Sequence, residues 1–175
     1  MSYLVAVFLL WMDVWKLKDK AALKKSYQVA YYLKLKMLGS YVGHNCIFDG
    51  IPCLPHGLKG IFISGGSKIG RNCVIFQHVT IGGNSLADSK SMGAPIIGDN
   101  CYIGAGATII GGIEIGNNCR IGAGAIVVED IPDDSLVVMA KPTIIHKENM
   151  DNRFITYIDG KKVFFNNGKW ERFDE

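Results

Sequence analysis

Aliphatic residues recur at every sixth position along much of this chain. Ile63, Ile69, Ile75 and Ile81 form one run, and Ile97, Ile103, Ile109, Ile115, Ile121 and Val127 form another. A period of six matches neither the helical turn nor the two-residue alternation of strands joined by ordinary hairpins. It fits short strands of about five residues with a corner after each, three strands closing one coil. Each aliphatic side chain then points into the coil and stacks on its counterpart one coil away. The residue two before it is also inward and must be small where three sides converge. Ser67, Cys73, Val79, Pro95, Cys101, Ala107, Ile113, Cys119 and Ala125 mostly meet that demand.

Four tetrapeptides share one corner pattern: Gly43-His44-Asn45-Cys46, Gly70-Arg71-Asn72-Cys73, Gly98-Asp99-Asn100-Cys101 and Gly116-Asn117-Asn118-Cys119. The glycine is expected there because a corner needs backbone freedom that a β-carbon restricts. The tetrapeptides are 27, 28 and 18 residues apart. At 18 residues per coil, the first two spacings carry excesses of 9 and 10. These predict loops thrown outward near Phe48–His56 and Gly83–Met92.

Composition narrows the function classes. The chain has 175 residues, 49% apolar and 20% charged, as a folded globular domain requires. Its net charge is only +3, with seven lysines between Met1 and Leu38 against Asp13 and Asp19. No aromatic-studded basic stripe or finger-like Cys/His spacing is present, so nucleic acid is not an expected partner. The apolar stretch Tyr3–Trp11 falls far short of the ~20 residues that span a bilayer. It also lacks a positive leader and a small-residue cleavage site. The expected location is therefore the cytoplasm, where the five cysteines stay reduced. Cys46, Cys73, Cys101 and Cys119 take the small inward position, leaving Cys53 as the exposed thiol. No CxxC or His-rich ligand spacing appears, so no metal is expected.

The ends depart from the period. Asp19 is placed to cap a helix running to Met37, with Gly39 as terminator and Leu23, Ala30, Leu33 and Met37 on one face. Residues 2–16 suggest an earlier helix bearing Trp11 and Trp15. These helices either cover the open end of the coil or pack between subunits; the sharper alternative is a lysine-rich peripheral contact of residues 1–38 with the inner face of a membrane. Arg153–Phe173 reads as a β-meander with turns at Asp159-Gly160 and Asn167-Gly168.

The repeats and corner tetrapeptides resemble those of the hexapeptide-repeat acyltransferases over roughly Ser40 to Ile145. The resemblance implies a mainly β fold, a left-handed parallel β-helix, and assembly as a homotrimer; that handedness runs against the usual crossover rule. The expected organisation is N-terminal α-helices over 1–39, the β-helix over 40–145 with an outward loop near 83–93, and a C-terminal β-hairpin or meander extension over 146–175.

The resemblance also implies acyl transfer from acetyl-CoA as co-substrate to a hydroxyl. Such a reaction needs a base, and His titrates near working pH. His56, in Leu54-Pro55-His56-Gly57-Leu58-Lys59-Gly60-Ile61-Phe62-Ile63, looks like the catalytic His segment of serine acetyltransferases and related sugar O-acetyltransferases. The carried-over role is general base. His78, in Phe76-Gln77-His78-Val79-Thr80-Ile81-Gly82, is similar to a segment lining the transfer cleft and is expected at an outward corner. His44 reads as filler of an ordinary corner and His146 as a surface residue. The serine enzymes orient the base with an Asp one coil earlier; the same count here reaches Tyr41, so Asp49 is the candidate substitute. By position in the family groove between subunits, Gly82, Gly83, Gly104, Ala105, Gly106, Ala123 and Gly124 are expected to take the pantetheine arm through their backbone. Lys141 is expected near the nucleotide phosphates. The reaction is read as direct transfer in a ternary complex, with N–H groups near Gly82–Gly83 facing the oxyanion.

For the acceptor, the serine enzymes bear an acid before the catalytic His and an Arg-His pair after the long loop. Here those places hold Pro55 and Gly93-Ala94. Losing those charge-assisted contacts favours a neutral sugar hydroxyl in a capsule, exopolysaccharide or lipopolysaccharide precursor. Serine itself, as in cysteine biosynthesis, is the alternative. A β-helical carbonic anhydrase would need three converging His ligands, and a non-catalytic scaffold would fail to bind CoA.

Overall fold

The computed structural model describes residues 14–23, 25–141 and 143–173. It divides into two units, Met1–Ala140 and Lys141–Glu175.

The first unit is a left-handed parallel β-helix with three faces. One face stacks β1 (Tyr41–Val42), β3 (Phe62–Ile63), β6 (Thr80–Gly82), β9 (Thr108–Ile110) and β12 (Ile126–Val127). The second stacks β2 (Ile47–Phe48), β4 (Lys68–Ile69), β7 (Ile96–Ile97) and β10 (Glu114–Ile115). The third stacks β5 (Val74–Ile75), β8 (Tyr102–Ile103), β11 (Arg120–Ile121) and β13 (Leu136–Val137). Register keeps like on like: Ile63 pairs with Ile81, Ile81 with Ile109, Ile109 with Val127, and Ile75 with Ile103. These aliphatic residues, with Cys73, Ala107, Cys119 and Ala125, are almost wholly excluded from solvent. Truncating one such isoleucine to alanine would leave a cavity along the axis, at a cost of about 2–5 kcal/mol.

The corners are built differently from the sequence expectation. Gly43, Gly70, Gly98 and Gly116 do not have positive φ; the left-handed residues are Asn72, Asn100 and Asn118, at 56°, 59° and 56°. Asparagine tolerates this region because its short polar side chain bonds locally. Here Asn72 Nδ2 donates to Asn100 Oδ1 and Asn100 Nδ2 to Asn118 Oδ1, each at 3.2 Å. The preceding glycine is needed for close approach: a β-carbon on Gly70 would lie 2.6 Å from the Gly98 backbone. The inward thiols of Cys73 and Cys101 donate to the carbonyls of Gly98 and Gly116 one coil on, at 3.3 and 3.1 Å.

The loops also differ. Tyr41 pairs with Phe62 and Ile47 with Lys68, a coil of 21 residues rather than 27. Gly43 and Gly70 lie on different faces, so six residues of the apparent excess are an ordinary side, the one that sets Cys53 beside Val74. Only three residues are inserted, in the turn before β3. The second loop is as long as expected, and mutual backbone bonds between Asn84 and Gly93 at 2.7 and 2.8 Å pinch its ends together.

Two helices precede the coils, α1 (Val14–Leu23) and α2 (Lys25–Met37). Asp19 lies inside α1 and caps nothing, while residues 1–13 lie outside the described part. Gly39 does end α2, at φ 63°, with Ser40 N–H donating to Leu35 O at 3.0 Å. The buried face of α2 carries Tyr31 and Leu35, both fully excluded, with Tyr27 beside them. Leu33 and Met37 are exposed and the Leu23 side chain lies outside the described part, so the expected face is rotated. Tyr31 donates to Val42 O at 2.9 Å, and burial pushes its phenol above the usual range. Tyr32 stacks on Tyr41, and its hydroxyl shares a hydrogen bond with His44 Nδ1 at 2.8 Å and accepts from the His44 N–H at 3.2 Å. His44 thus fastens the helix to the first coil. Among the described residues no helix is long and apolar enough to cross a membrane.

The second unit is an antiparallel meander of β14 (Ile155–Ile158), β15 (Lys161–Asn166) and β16 (Lys169–Arg172). Both expected turns form, with positive φ at Asp159, Gly160, Asn167 and Gly168. Arg153 lies over the Phe164 and Phe173 rings and holds the Asp151 carboxyl down at about 2.

Candidate active site

The edge between the third and first faces gathers the candidate chemistry. His56 sits in the tight turn 54–60, where Gly57 N–H donates to Leu54 O and Ile61 N–H to Leu58 O, each at 3.0 Å. Leu58 buries its side chain and anchors that turn. The 21-residue step that sets Cys53 beside Val74 also sets His56 beside Gln77, and His56 Nδ1 is 2.6 Å from Gln77 Oε1. The amide oxygen only accepts, so Nδ1 carries the proton and Nε2 keeps its lone pair. The ring meets Phe76 edge-on at 5.7 Å, and Phe76 packs on Tyr102 at 5.1 Å. The imidazole is exposed.

His78 occupies an exposed corner, as the period places it, with φ 59°. The equivalent corners in neighbouring coils hold Gly60, Gly106 and Gly124, at 68°, 69° and 68°. Histidine is the one side chain in that column, and its ring fills the space beside Gly60, where a β-carbon would strike Nδ1. His78 N–H donates to Lys59 O at 3.2 Å. The turn bearing His56 is thus seated on the Gln77–His78 corner.

Ala105, Gly106, Ala123 and Gly124 continue this edge, with Gly106 N–H donating to Gln77 O at 3.1 Å and Gly124 N–H to Ala105 O at 2.9 Å. Gly104 is buried, and its lack of a side chain is set by packing, since a β-carbon would come 2.7 Å from Ala123 N. Gly82 and Gly83 lie at the far end of β6, beside Asn84 and Gly93. Five extended residues separate Gly83 from His78, about 16 Å. Their backbone therefore does not meet His56 within one protomer. Lys141 is exposed in the second unit.

Asp49 is not brought to the base. It lies on the second face, 3.8 Å from Lys68, and the partner of His56 is Gln77. Sequence reasoning missed Gln77 because it took the excess before Gly70 as nine residues. A three-residue insertion sets the register at 21 and aligns His56 with Gln77.

Residues 94–128 match the family described as bacterial transferase hexapeptide, six repeats. The serine acetyltransferase of Synechococcus elongatus is 37% identical over 112 residues, 64% of this chain and 42% of that protein. Arabidopsis thaliana serine acetyltransferase 5 is 51% identical over 73 residues, 42% of this chain and 23% of that protein. A Neisseria gonorrhoeae serine acetyltransferase solved with serine superposes with a TM-score of 0.61 at 31% identity, covering 78% of this chain and 55% of that one. The Entamoeba histolytica isoform 3 enzyme solved with cysteine gives 0.60 at 31% identity, covering 71% and 44%.

The three-faced β-helix thus carries the bacterial transferase hexapeptide repeat over residues 94–128. The relatives and solved structures that it resembles are serine acetyltransferases. The chain spans about half the length of the relatives it matches. These relatives also overturn the expected sugar acceptor, because each of them is a serine acetyltransferase. The expectation rested on the charges absent at Pro55 and Gly93-Ala94, and missing contacts at two places do not define which hydroxyl is bound.

Proposed function

We propose that this protein transfers acetyl from acetyl-CoA to the hydroxyl of serine. The observation that carries the reading is His56, exposed on a glycine-lined edge with its Nε2 lone pair directed by the Gln77 hydrogen bond. The relatives' chemistry supports the donor and the acceptor. His56 Nε2 takes the hydroxyl proton as the oxygen attacks the thioester carbonyl. The tetrahedral intermediate then collapses, the C–S bond breaks, and the CoA thiolate leaves and takes up the proton. General base assistance of this kind contributes about 10²–10⁴-fold.

The backbone of Ala105, Gly106, Ala123 and Gly124 lines the pantetheine path, with His78 at its head. In the homotrimer that the repeat resemblance implies, a groove between protomers completes this path, and Gly82 and Gly83 serve a neighbour's edge rather than their own. Lys141 is assigned to the nucleotide phosphates.

The acceptor is tested by following CoA thiol release with acetyl-CoA and, in turn, serine, homoserine, threonine and a neutral alcohol, with the product identified by mass spectrometry. Preferential turnover of serine to its O-acetyl ester supports the reading. Equal turnover of serine and the neutral alcohol would refute recognition of the amino acid.

A further inference from the structure

The partner of His56 is an amide. A carboxylate in that position would hold the ring and also stabilise the imidazolium that forms as the base takes its proton. Gln77 Oε1, 2.6 Å from Nδ1, can do only the first. Among the described residues no carboxylate is hydrogen-bonded to His56, and Asp49 is engaged with Lys68 on another face.

We infer that Gln77 is the positioning residue of the base: it fixes the Nδ1–H tautomer and the ring plane of His56 without supplying charge. This deepens the acetyl-transfer reading and rests on it.

Two features hold Gln77 in place, and a third walls the His56 ring. The Gln77 carbonyl accepts from Gly106 N–H at 3.1 Å, which ties its backbone to the next coil. The next residue, His78, takes the left-handed corner that glycine fills in the neighbouring coils, so Gln77 sits at a bend of defined direction. Phe76, just before it, presents its ring to the edge of the His56 imidazole at 5.7 Å. The ring is thus held by one hydrogen bond and one aromatic wall. The other titratable groups on these two elements are His78 and Lys59, both cationic when charged, so neither element brings a carboxylate to the imidazolium. An amide partner therefore gives a base whose protonated form is less favoured than beside a carboxylate.

The test compares wild type, Gln77→Ala, Gln77→Glu and His56→Ala in the full chain. Gln77→Ala is expected to lower kcat about tenfold or more, with KM for acetyl-CoA nearly unchanged. Gln77→Glu keeps an acceptor and adds charge, so activity persists and the acid limb of kcat/KM moves up by about one pH unit. Nitrogen NMR of the imidazole is expected to show the Nδ1–H tautomer in wild type and a mixture in Gln77→Ala. A wild-type Nε2–H tautomer would overturn the inference. So would unchanged kcat and an unmoved acid limb in both Gln77 variants while His56→Ala is inactive. Full turnover in His56→Ala would instead remove the base reading itself, and this inference with it.

Discussion

Gly57 and Gly60 form a matched pair for testing how the His56 turn is seated. Their φ values are 67° and 68°, so alanine at either suffers the same left-handed strain, about 1–2 kcal/mol. Each also gains about 0.4–1 kcal/mol from a stiffer unfolded chain. The two differ in their surroundings. A β-carbon on Gly57 meets nothing within 4 Å, whereas one on Gly60 strikes the His78 ring, 2.7 Å from Cε1 and 3.0 Å from Cγ. Gly57→Ala should therefore cost about 0–1.6 kcal/mol. Gly60→Ala adds an overpacking cost of about 1–3 kcal/mol, toward the low end because an exposed ring can swing away. Swinging away moves the His78 side chain and loosens the seat of the turn, so turnover falls as well. Urea unfolding at fixed protein concentration, alongside CoA-release assays, measures both effects. Gly60→Ala combined with His78→Ala should recover the stability difference, because the colliding ring is gone. Equal losses in the two single variants, or no recovery in the double variant, would refute the contact argument.

Other outcomes follow from the same coordinates. Replacing Pro55 by Asp restores an acid before the base and is expected to lower KM for serine about tenfold or more, the worth of one charge-assisted hydrogen bond, as steady-state kinetics would show. Burial pushes the Cys46 thiol up to about 12 from an ordinary value near 9, and Tyr31 shifts the same way. The folded chain then holds protons that the unfolded chain gives up, so stability is full below pH 9 and declines as pH rises toward about 12. Melting temperatures across that range, flatter in Tyr31→Phe, check the sign. Leu35→Ala should lose about 2–5 kcal/mol and Leu33→Ala almost nothing, because α2 buries the first and exposes the second.

The coil was legible because its period sits in the identity of single residues: one isoleucine in six, with a small residue two before it. The meander was legible for a similar reason, since Asp-Gly and Asn-Gly allow few backbone paths. Helix α2 was harder. Its buried face carries Tyr31 and Leu35, while apolar residues also occupy the exposed side, so hydrophobicity alone pointed to the wrong stripe. The base was visible in its segment, but its partner was not. Gln77 lies within the His78 segment but has no assigned role there, and only pairing geometry shows that a three-residue insertion brings it over His56. Asp49 illustrates the converse, because proximity along the chain counts for little when each corner sends the next strand to another face.

The central claim is that His56 is the base on this edge. Turnover and acetyl-CoA binding should be measured together in wild type and His56→Ala, the first by thiol release and the second by calorimetry. The account predicts an affinity for acetyl-CoA within about twofold of wild type and a turnover number lower by about 10²–10⁴-fold. A variant that binds acetyl-CoA and turns over serine as wild type does would contradict it.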